Sequence, residues 1–251
     1  MESFIMNEEY IDVVSKIQNG EGFNPPLRKL IAKQNCQKKR VVYTFSREEN
    51  YVLKLMTYLL IRRYDCIFAK NLYSFRSNHG VKEAIDYLRY LPNLSEKYVY
   101  KVDVENYFNS VDNKRLLPIL KEVMNDNKQT YAFIENLLKD SLVCLPSGET
   151  INESKGIMAG VPISSFLANV FLNQLDWCFY NKGQQYLRYS DDIIVFSDSL
   201  EQCQSTRDYM HQELSKMSLS INKDKEYVTL PHEQWDFLGI AYKDGIFDIS
   251  P

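Results

Sequence analysis

Gln185-Tyr186-Leu187-Arg188-Tyr189-Ser190-Asp191-Asp192-Ile193-Ile194-Val195-Phe196-Ser197 is the stretch on which the fold turns. Its two arms, 185–189 and 193–197, are rich in aromatic and β-branched residues and read as strands. Between them stand two adjacent carboxylates. A hairpin with both acids at its tip sets like charges side by side, which is costly unless a cation neutralises them. Hard oxygen ligands at a strand end, with room for water and substrate, suit Mg²⁺. A solvated turn is the plainer reading, because Asp is common in turns. The pair therefore needs a partner.

The partner lies upstream, in Tyr98-Val99-Tyr100-Lys101-Val102-Asp103-Val104. Strand side chains alternate between faces, so Val102 and Val104 point into a core while Asp103 points the other way. A strand-end Asp beside a hairpin-tip pair is the arrangement that two-metal phosphoryl transfer requires, with two cations stabilising the attacking and leaving oxygens. Spacing alone does not make the two strands neighbours.

With these residues in hand, the chain resembles the reverse transcriptases. Asp103-Val104-Glu105-Asn106-Tyr107-Phe108 is similar to their first palm motif, and Tyr189-Ser190-Asp191-Asp192 to their Tyr-x-Asp-Asp motif. The run Gly156 to Asn169 resembles the loop and helix that support template and incoming nucleotide. Tyr73-Ser74-Phe75-Arg76 resembles the Tyr-Gly-Phe-Arg element of group II intron and retron enzymes. Leu219-Ser220-Ile221-Asn222-Lys223-Asp224-Lys225 and Phe237-Leu238-Gly239 match the last two palm motifs. The six elements occur in family order from about residue 28 onward.

The resemblance implies an α+β right-hand polymerase: a palm of antiparallel sheet with helices on one face, plus fingers. It places fingers in 1–96 and palm in 97–251, with the helices and hairpin of 112–155 returning toward the fingers. The implied reaction is RNA-directed DNA synthesis from a primer 3′-hydroxyl, with two Mg²⁺ ions and Mn²⁺ as a substitute. Asp103, Asp191 and Asp192, with the Val104 carbonyl, are the implied metal ligands. Lys225 becomes a general acid for the departing pyrophosphate. Tyr107, with Phe108 beside it, becomes the steric gate that disfavours a 2′-hydroxyl, where viral RNA polymerases place a second Asp instead. A core aromatic is the alternative for Tyr107. Arg40 grips the triphosphate through its guanidinium, assisted by Lys33. Ala159 and Gly160 face the nucleotide. Arg76 and Tyr189 contact nucleic acid, and Phe237, Leu238 and Gly239 form a primer grip in which Gly allows close backbone approach.

The chain departs from the family where Met158-Ala159-Gly160 replaces Pro-Gln-Gly and Ser165 replaces a common proline. Ala159 cannot make the hydrogen bond that the glutamine makes to the nucleotide. The change points to a divergent bacterial lineage rather than a standard group II intron enzyme: diversity-generating, retron-like, CRISPR-associated or phage-defence, the last favoured because the core is spare. It also keeps open a palm enzyme with another product, RNA or untemplated DNA. A non-catalytic nucleic-acid-binding subunit is the third reading, opposed by three clustered carboxylates. The partners implied are an RNA template, a DNA or RNA primer and deoxynucleoside triphosphates.

Composition agrees with a globular enzyme core. The 251 residues are 45% hydrophobic and 25% charged, ordinary fractions that leave ample apolar material for a core. No apolar run reaches the roughly 18–20 residues of a membrane span, so no membrane partner is expected. Met1-Glu2-Ser3 opens no secretory signal. Cys36, Cys66, Cys144, Cys178 and Cys203 are scattered without a Cys-x-x-Cys pair, and read as reduced thiols of a cytoplasmic protein. A net charge of −3 is low for a nucleic-acid binder, since phosphate contacts supply most of the affinity. The basic excess is local, in Arg28, Lys29, Lys33, Lys38, Lys39 and Arg40, which is either a solvated face or the fingers surface. A basic thumb, supplied by further sequence, a partner or an oligomer, would account for the rest. Helices are expected near 7–18, 47–64, 81–91, 112–126, 129–141, 162–180 and 200–217. Ser46 is the expected N-cap of the second, a hairpin is expected around Pro146-Ser147-Gly148, and two short strand pairs close the chain.

Overall fold

The structure is a computed structural model that describes residues 2–32 and 39–250. In chain order its helices and strands are α1 (Glu2–Met6), α2 (Ile11–Gln18), β1 (Leu27–Ala32), β2 (Lys39–Thr44), α3 (Arg47–Tyr64), α4 (Val81–Arg89), β3 (Tyr98–Asp103) and α5 (Tyr107–Ser110). Then come α6 (Asn113–Val123), α7 (Lys128–Lys139), β4 (Leu142–Cys144), β5 (Thr150–Asn152), α8 (Ser164–Asn181), β6 (Gln185–Tyr189) and β7 (Asp192–Ser197). The chain continues with α9 (Leu200–Lys216), β8 (Tyr227–Thr229), β9 (Trp235–Phe237), β10 (Ile240–Lys243) and β11 (Ile246–Ile249). It divides into two compact units, Met1–Tyr64 with Phe108–Phe171, and Asp65–Tyr107 with Leu172–Pro251.

The first unit holds a sheet in the order β2-β1-β4-β5. β1 and β2 pair antiparallel from Leu27↔Thr44 to Ala32↔Lys39, and β4 turns into β5 across the expected hairpin. α3 begins where the sequence signals it. The Glu49 N–H donates to Ser46 Oγ at 3.2 Å and the Ser46 N–H to Glu49 Oε2 at 3.0 Å, a reciprocal cap that satisfies two otherwise orphaned donors. The α3 residue Val52 packs with Phe4 and Val13 of the first two helices.

The second unit is built on a sheet in the order β6-β7-β3-β8. Strand alternation sorts its residues. On one face Leu187, Ile194, Phe196 and Val99 pack against Ala84, Ile85 and Leu88 of α4 and against Trp235, Phe237 and Tyr242. On the other, Tyr186 stacks on Phe179 of α8 with centroids 4.5 Å apart, and Phe179 in turn meets Tyr209 of α9 edge-on. Burial on both faces explains why β3 and β7 read as near-continuous apolar runs.

Residues 65–96 fall in the second unit, joined there to its sheet. The reason is a backbone zipper along the edge strand β6, where the Tyr73 N–H donates to Arg188 O at 2.9 Å and the Arg188 N–H to Asn71 O at 3.0 Å. The closing strands are not two pairs: β8 joins β3, and β9, β10 and β11 form their own three-stranded sheet. No helix of the described residues is long and apolar enough to cross a membrane.

Candidate functional site

β3 and β7 are neighbours, and their register sets Asp103 directly opposite Asp192. Residues directly opposite in an antiparallel pair share a face, so these carboxylates lie together at the end of the sheet. Asp191 sits in the two-residue turn between β6 and β7, whose last pair is Tyr189↔Asp192. The Val104 N–H donates to Asp191 O at 3.0 Å, which ties the turn to the end of β3. The segment after α9 closes the third side: the Asn222 N–H donates to Asp103 O at 2.9 Å, and the Glu105 N–H to Ser220 O at 2.8 Å.

The electrostatics of these acids follow from burial and from each other. Asp103 is 6% exposed. Its Oδ2 accepts from Lys225 Nζ at 2.7 Å and its Oδ1 from Asn222 Nδ2 at 3.3 Å. Burial, then the neighbouring Asp103 charge, pushes the Asp191 carboxyl above its ordinary range. Burial is likewise the main cause that lifts Asp192 to about 6; the charge of Lys101 opposes it, while Asp103 and Asp191 add to it. Burial alone would depress the Lys225 ammonium, but its bond to Asp103 and the charges of Asp103, Asp192 and Asp191 raise it. Each protonation state here is a compromise between desolvation and a crowded set of like charges.

The turn is held from outside the hairpin. Ser190 adopts φ +61°, a left-handed conformation that costs a non-glycine residue free energy. Its N–H donates to Ser74 Oγ at 2.9 Å, and its carbonyl accepts from Arg188 Nη1 at 3.0 Å. Arg188 and Asp176 are both fully buried. Arg188 Nε and Nη2 donate to the Asp176 carboxylate at 2.8 and 2.6 Å, and Tyr186 Oη adds a third bond at 2.8 Å.

In the first unit the glycine-containing loop before α8 wraps onto β2. The Tyr43 N–H donates to Ala159 O at 2.8 Å. Asn109 links the two elements, its Nδ2 donating to Val41 O at 3.0 Å while its Oδ1 accepts from the Ala159 N–H at 2.9 Å. Gly156 has φ +53°, and a Cβ there would stand 2.5 Å from Phe108 O. Gly160, at φ +94°, would bring a Cβ to 3.1 Å from Tyr43 O. Ser164, opening α8, donates to Met158 O at 2.7 Å and also to Ile157 O. Arg40 is exposed on β2, and Lys33 lies outside the described residues.

A family model described as reverse transcriptase (RNA-dependent DNA polymerase) matches residues 31–242. The chain belongs to the reverse transcriptase family. It is 21% identical over 155 residues to the retron Ec86 reverse transcriptase of Escherichia coli, a match covering 60% of this chain and 44% of the relative. In fold it is similar to the apo telomerase of Candida tropicalis truncated from its C-terminal domain. There the TM-score is 0.69 at 13% identity, covering 91% of this chain and 55% of that one. The Candida tropicalis telomerase in complex with a fragment of telomeric RNA gives a TM-score of 0.70 at 14% identity, covering 98% and 48%. The reverse transcriptase chain thus spans roughly half the length of these relatives, between 44% and 55%.

Reverse transcriptases use divalent metal ions, and the donor set of this family member fits one. Asp192 Oδ1 is buried and accepts no hydrogen bond among the described residues, a costly state for a carboxylate oxygen without a cation. No group of three or more His, Cys, Asp or Glu side chains stands at ligand spacing among the described residues. Lys225, on Asp103, is the cation already seated in the cluster.

Three expected site residues in this reverse transcriptase chain read differently in place. Tyr107 is 1% exposed, its phenol pushed up by burial, so its ring is core and has no open face for a sugar. Phe108 beside it is only partly buried. The Arg76 side chain is 4% exposed; its guanidinium donates to the Asp65 carboxylate at 2.9 and 3.1 Å and to the carbonyls of Ala69 and Leu72. It ties a loop together. Gly239 has open space around its Cα. What it supplies is φ +80°, next to φ +53° at Leu238, for the two-residue turn from β9 to β10. Phe237 is fully buried and Tyr189 half-buried. Sequence reasoning missed Ser74, Asn109, Asp176, Arg188 and Asn222. Asn222 and Arg188 stand inside quoted motifs, so adjacency to the acids was the available signal for them. For Asp176 and Asn109 no local pattern distinguishes a tie from a surface polar group.

Proposed function

We propose that this chain carries the catalytic part of an RNA-directed DNA polymerase, with its first unit serving as fingers and its second as palm. The observation that carries the reading is the register Asp103↔Asp192 with Asp191 in the adjoining turn. The retron relative and the telomerase complexed with RNA support an RNA template, and a retron-like, defence-associated setting accords with the former. Two Mg²⁺ ions, replaceable by Mn²⁺, would be held by Asp103, Asp191, Asp192 and the Val104 carbonyl; when bound they supply charge neutralisation at the transferring phosphoryl group. The nucleophile is the primer 3′-hydroxyl, so the chain's own tasks are positioning and proton delivery. Lys225, whose side chain is 59% exposed, is proposed to protonate the departing pyrophosphate. Arg40 binds triphosphate oxygens, and Lys33 is proposed to assist. The sugar-reading ring is Phe108 rather than Tyr107, since only Phe108 keeps exposed surface. The Leu238–Gly239 turn is proposed to meet the primer. The loop leaves the nucleotide a backbone and a methyl group at Ala159, in place of an amide. Cys66, Cys144, Cys178 and Cys203 are free thiols, which supports a reducing, cytoplasmic setting.

Primer extension tests this reading, on matched RNA and DNA templates with Mg²⁺, wild type against Asp191→Asn, deoxynucleotides against ribonucleotides. Template-dependent DNA that disappears in the variant is the expected result. Equal use of ribonucleotides, or product without template, would replace it with the alternative product class.

A further inference from the structure

The two adjacent acids of the catalytic hairpin are presented by a turn whose first residue is a strained serine. A two-residue hairpin loop calls for positive φ at its first central position, which Ser190 meets at φ +61°, but a residue with a Cβ pays for the left-handed region where glycine would not. Both of its backbone groups are held by side chains that come from elsewhere. The Ser74 hydroxyl, 0% exposed, receives its N–H. The Arg188 guanidinium, also 0% exposed, donates to its carbonyl. The next peptide is fixed as well, by the bond from the Val104 N–H to Asp191 O.

Arg188 could not do this alone. A guanidinium buried without a partner is prohibitively costly, and a buried pair is tolerated only when its geometry and remaining donors are satisfied. Asp176 on α8 supplies that geometry, facing Nε and Nη2 with one carboxylate oxygen each and leaving Nη1 aimed along the chain at Ser190. Tyr186 fills a further lone pair of Asp176. The fork is rigid, so one end anchored on the helix fixes the other end on the turn. A lysine, or an apolar side chain of similar volume, would fill the space without this reach.

We propose that Arg188 and Asp176, with Ser74, are positioning residues: a buried clamp that holds the Ser190 turn in one geometry and so orients Asp191 for metal binding. The proposal rests on the polymerase reading for its purpose, but its physical content concerns the turn alone. It also explains why a core that could pack apolar residues at 176 and 188 carries an ion pair, which is by itself a weak source of stability.

The test compares wild type with the double variant Arg188→Met/Asp176→Leu and with Ser74→Ala. Removing both charges together leaves no unpaired charge but takes the acceptor from the buried Tyr186 hydroxyl, so the double variant is expected to fold with a Tm several degrees below wild type. Hydrogen exchange is expected to quicken at the amides of Ser190 to Ile193 and not elsewhere in the sheet. Mn²⁺ affinity of the protein without nucleic acid, measured by calorimetric titration, is expected to fall about 10-fold, and primer extension about 100-fold, the scale of a small misplacement of a reacting group. Ser74→Ala, which removes only a hydroxyl, is expected to show the same local exchange and a smaller loss of Mn²⁺ affinity. It carries the test if the double variant fails to fold. Unchanged turn exchange and unchanged Mn²⁺ affinity in a folded variant would overturn the clamp, even if wild type extends primers. A wild type that extends nothing, while the variants loosen the turn and the metal site, would leave the clamp standing and remove the polymerase reading.

Discussion

Tyr107 and Phe108 are adjacent aromatics with opposite fates, and they show what a single position can decide. The fully buried Tyr107 ring contributes packing, so Tyr107→Ala is expected to cost about 3–5 kcal/mol of stability in urea unfolding. Phe108→Ala should leave stability far less affected while lowering the preference for deoxynucleotides by about 10- to 100-fold in kcat/KM ratio, the range one pocket contact commonly controls. The reverse pattern would return the gate to Tyr107. Glu226 gives a second residue-scale expectation. Burial alone would raise its carboxyl, but hydrogen bonds from His211 and Tyr100 and the charges of His211 and Arg207 hold it below the usual range. Those partners stand at 2.6, 2.9 and 3.1 Å for His211, Tyr100 and Arg207. A carboxylate depressed in the folded state stabilises the protein above its unfolded value near 4.3, and that stabilisation is lost as pH falls through the folded value. Glu226→Gln should therefore lower Tm at about pH 6, with the gap to wild type closing toward about pH 3. A gap that stays constant with pH would assign the loss to packing.

Among the elements, the loop before α8 is the least forgiving. Gly156 combines φ +53° with backbone atoms of Phe108 and Asn109 at 2.5 to 2.7 Å from any Cβ, and those atoms cannot move as a side-chain tip can. Gly156→Ala is expected to be strongly destabilising, by more than the roughly 1 kcal/mol of an ordinary glycine-to-alanine strain; a folded, fully stable variant would show that the loop can shift. The elements themselves were largely legible. The helix from 47 to 64, the acidic hairpin and the Pro146–Gly148 turn are written in periodicity, capping residues and turn chemistry, and they form where expected. What was not legible depends on contacts distant in sequence. Arg76 looks like a nucleic-acid contact until Asp65 and two carbonyls surround it. The pairing of 71–73 with β6 is a backbone event that side-chain patterns do not announce. Two closing strand pairs are expected from sequence, but strand partners distant along the chain carry no local signal, and only the sheet shows β8 leaving for β3.

At the scale of the whole molecule, the charge balance and the acid cluster act together. A chain of net charge −3 that gathers one buried and two half-buried carboxylates at one strand end is expected to gain stability from any divalent cation that binds there. At about 100 times its dissociation constant, Mg²⁺ should add roughly 2.7 kcal/mol, seen as a Tm rise of several degrees. Asp191→Asn should lose most of that rise, and chelation should return wild type to its metal-free Tm. An equal rise in both proteins would place the ion elsewhere. If the exposed Lys29, Lys39 and Arg40 meet phosphates as proposed, affinity for nucleic acid should weaken steeply with salt; Arg28 is already paired with Glu153 at 2.9 Å.

The buried pair of Arg188 and Asp176 also bears on how the chain reaches its native state. A strand that must take a guanidinium into the core cannot dock until the carboxylate meant for it is already in place. Asp176 and Arg188 are separated by 12 positions, a short loop to close, so the end of α8 and the hairpin of β6 and β7 form an assembly unit of their own. Substitutions within this pair are expected to slow refolding rather than hasten unfolding. On that order Asp191 and Asp192 would be set before β3 brings Asp103 to them.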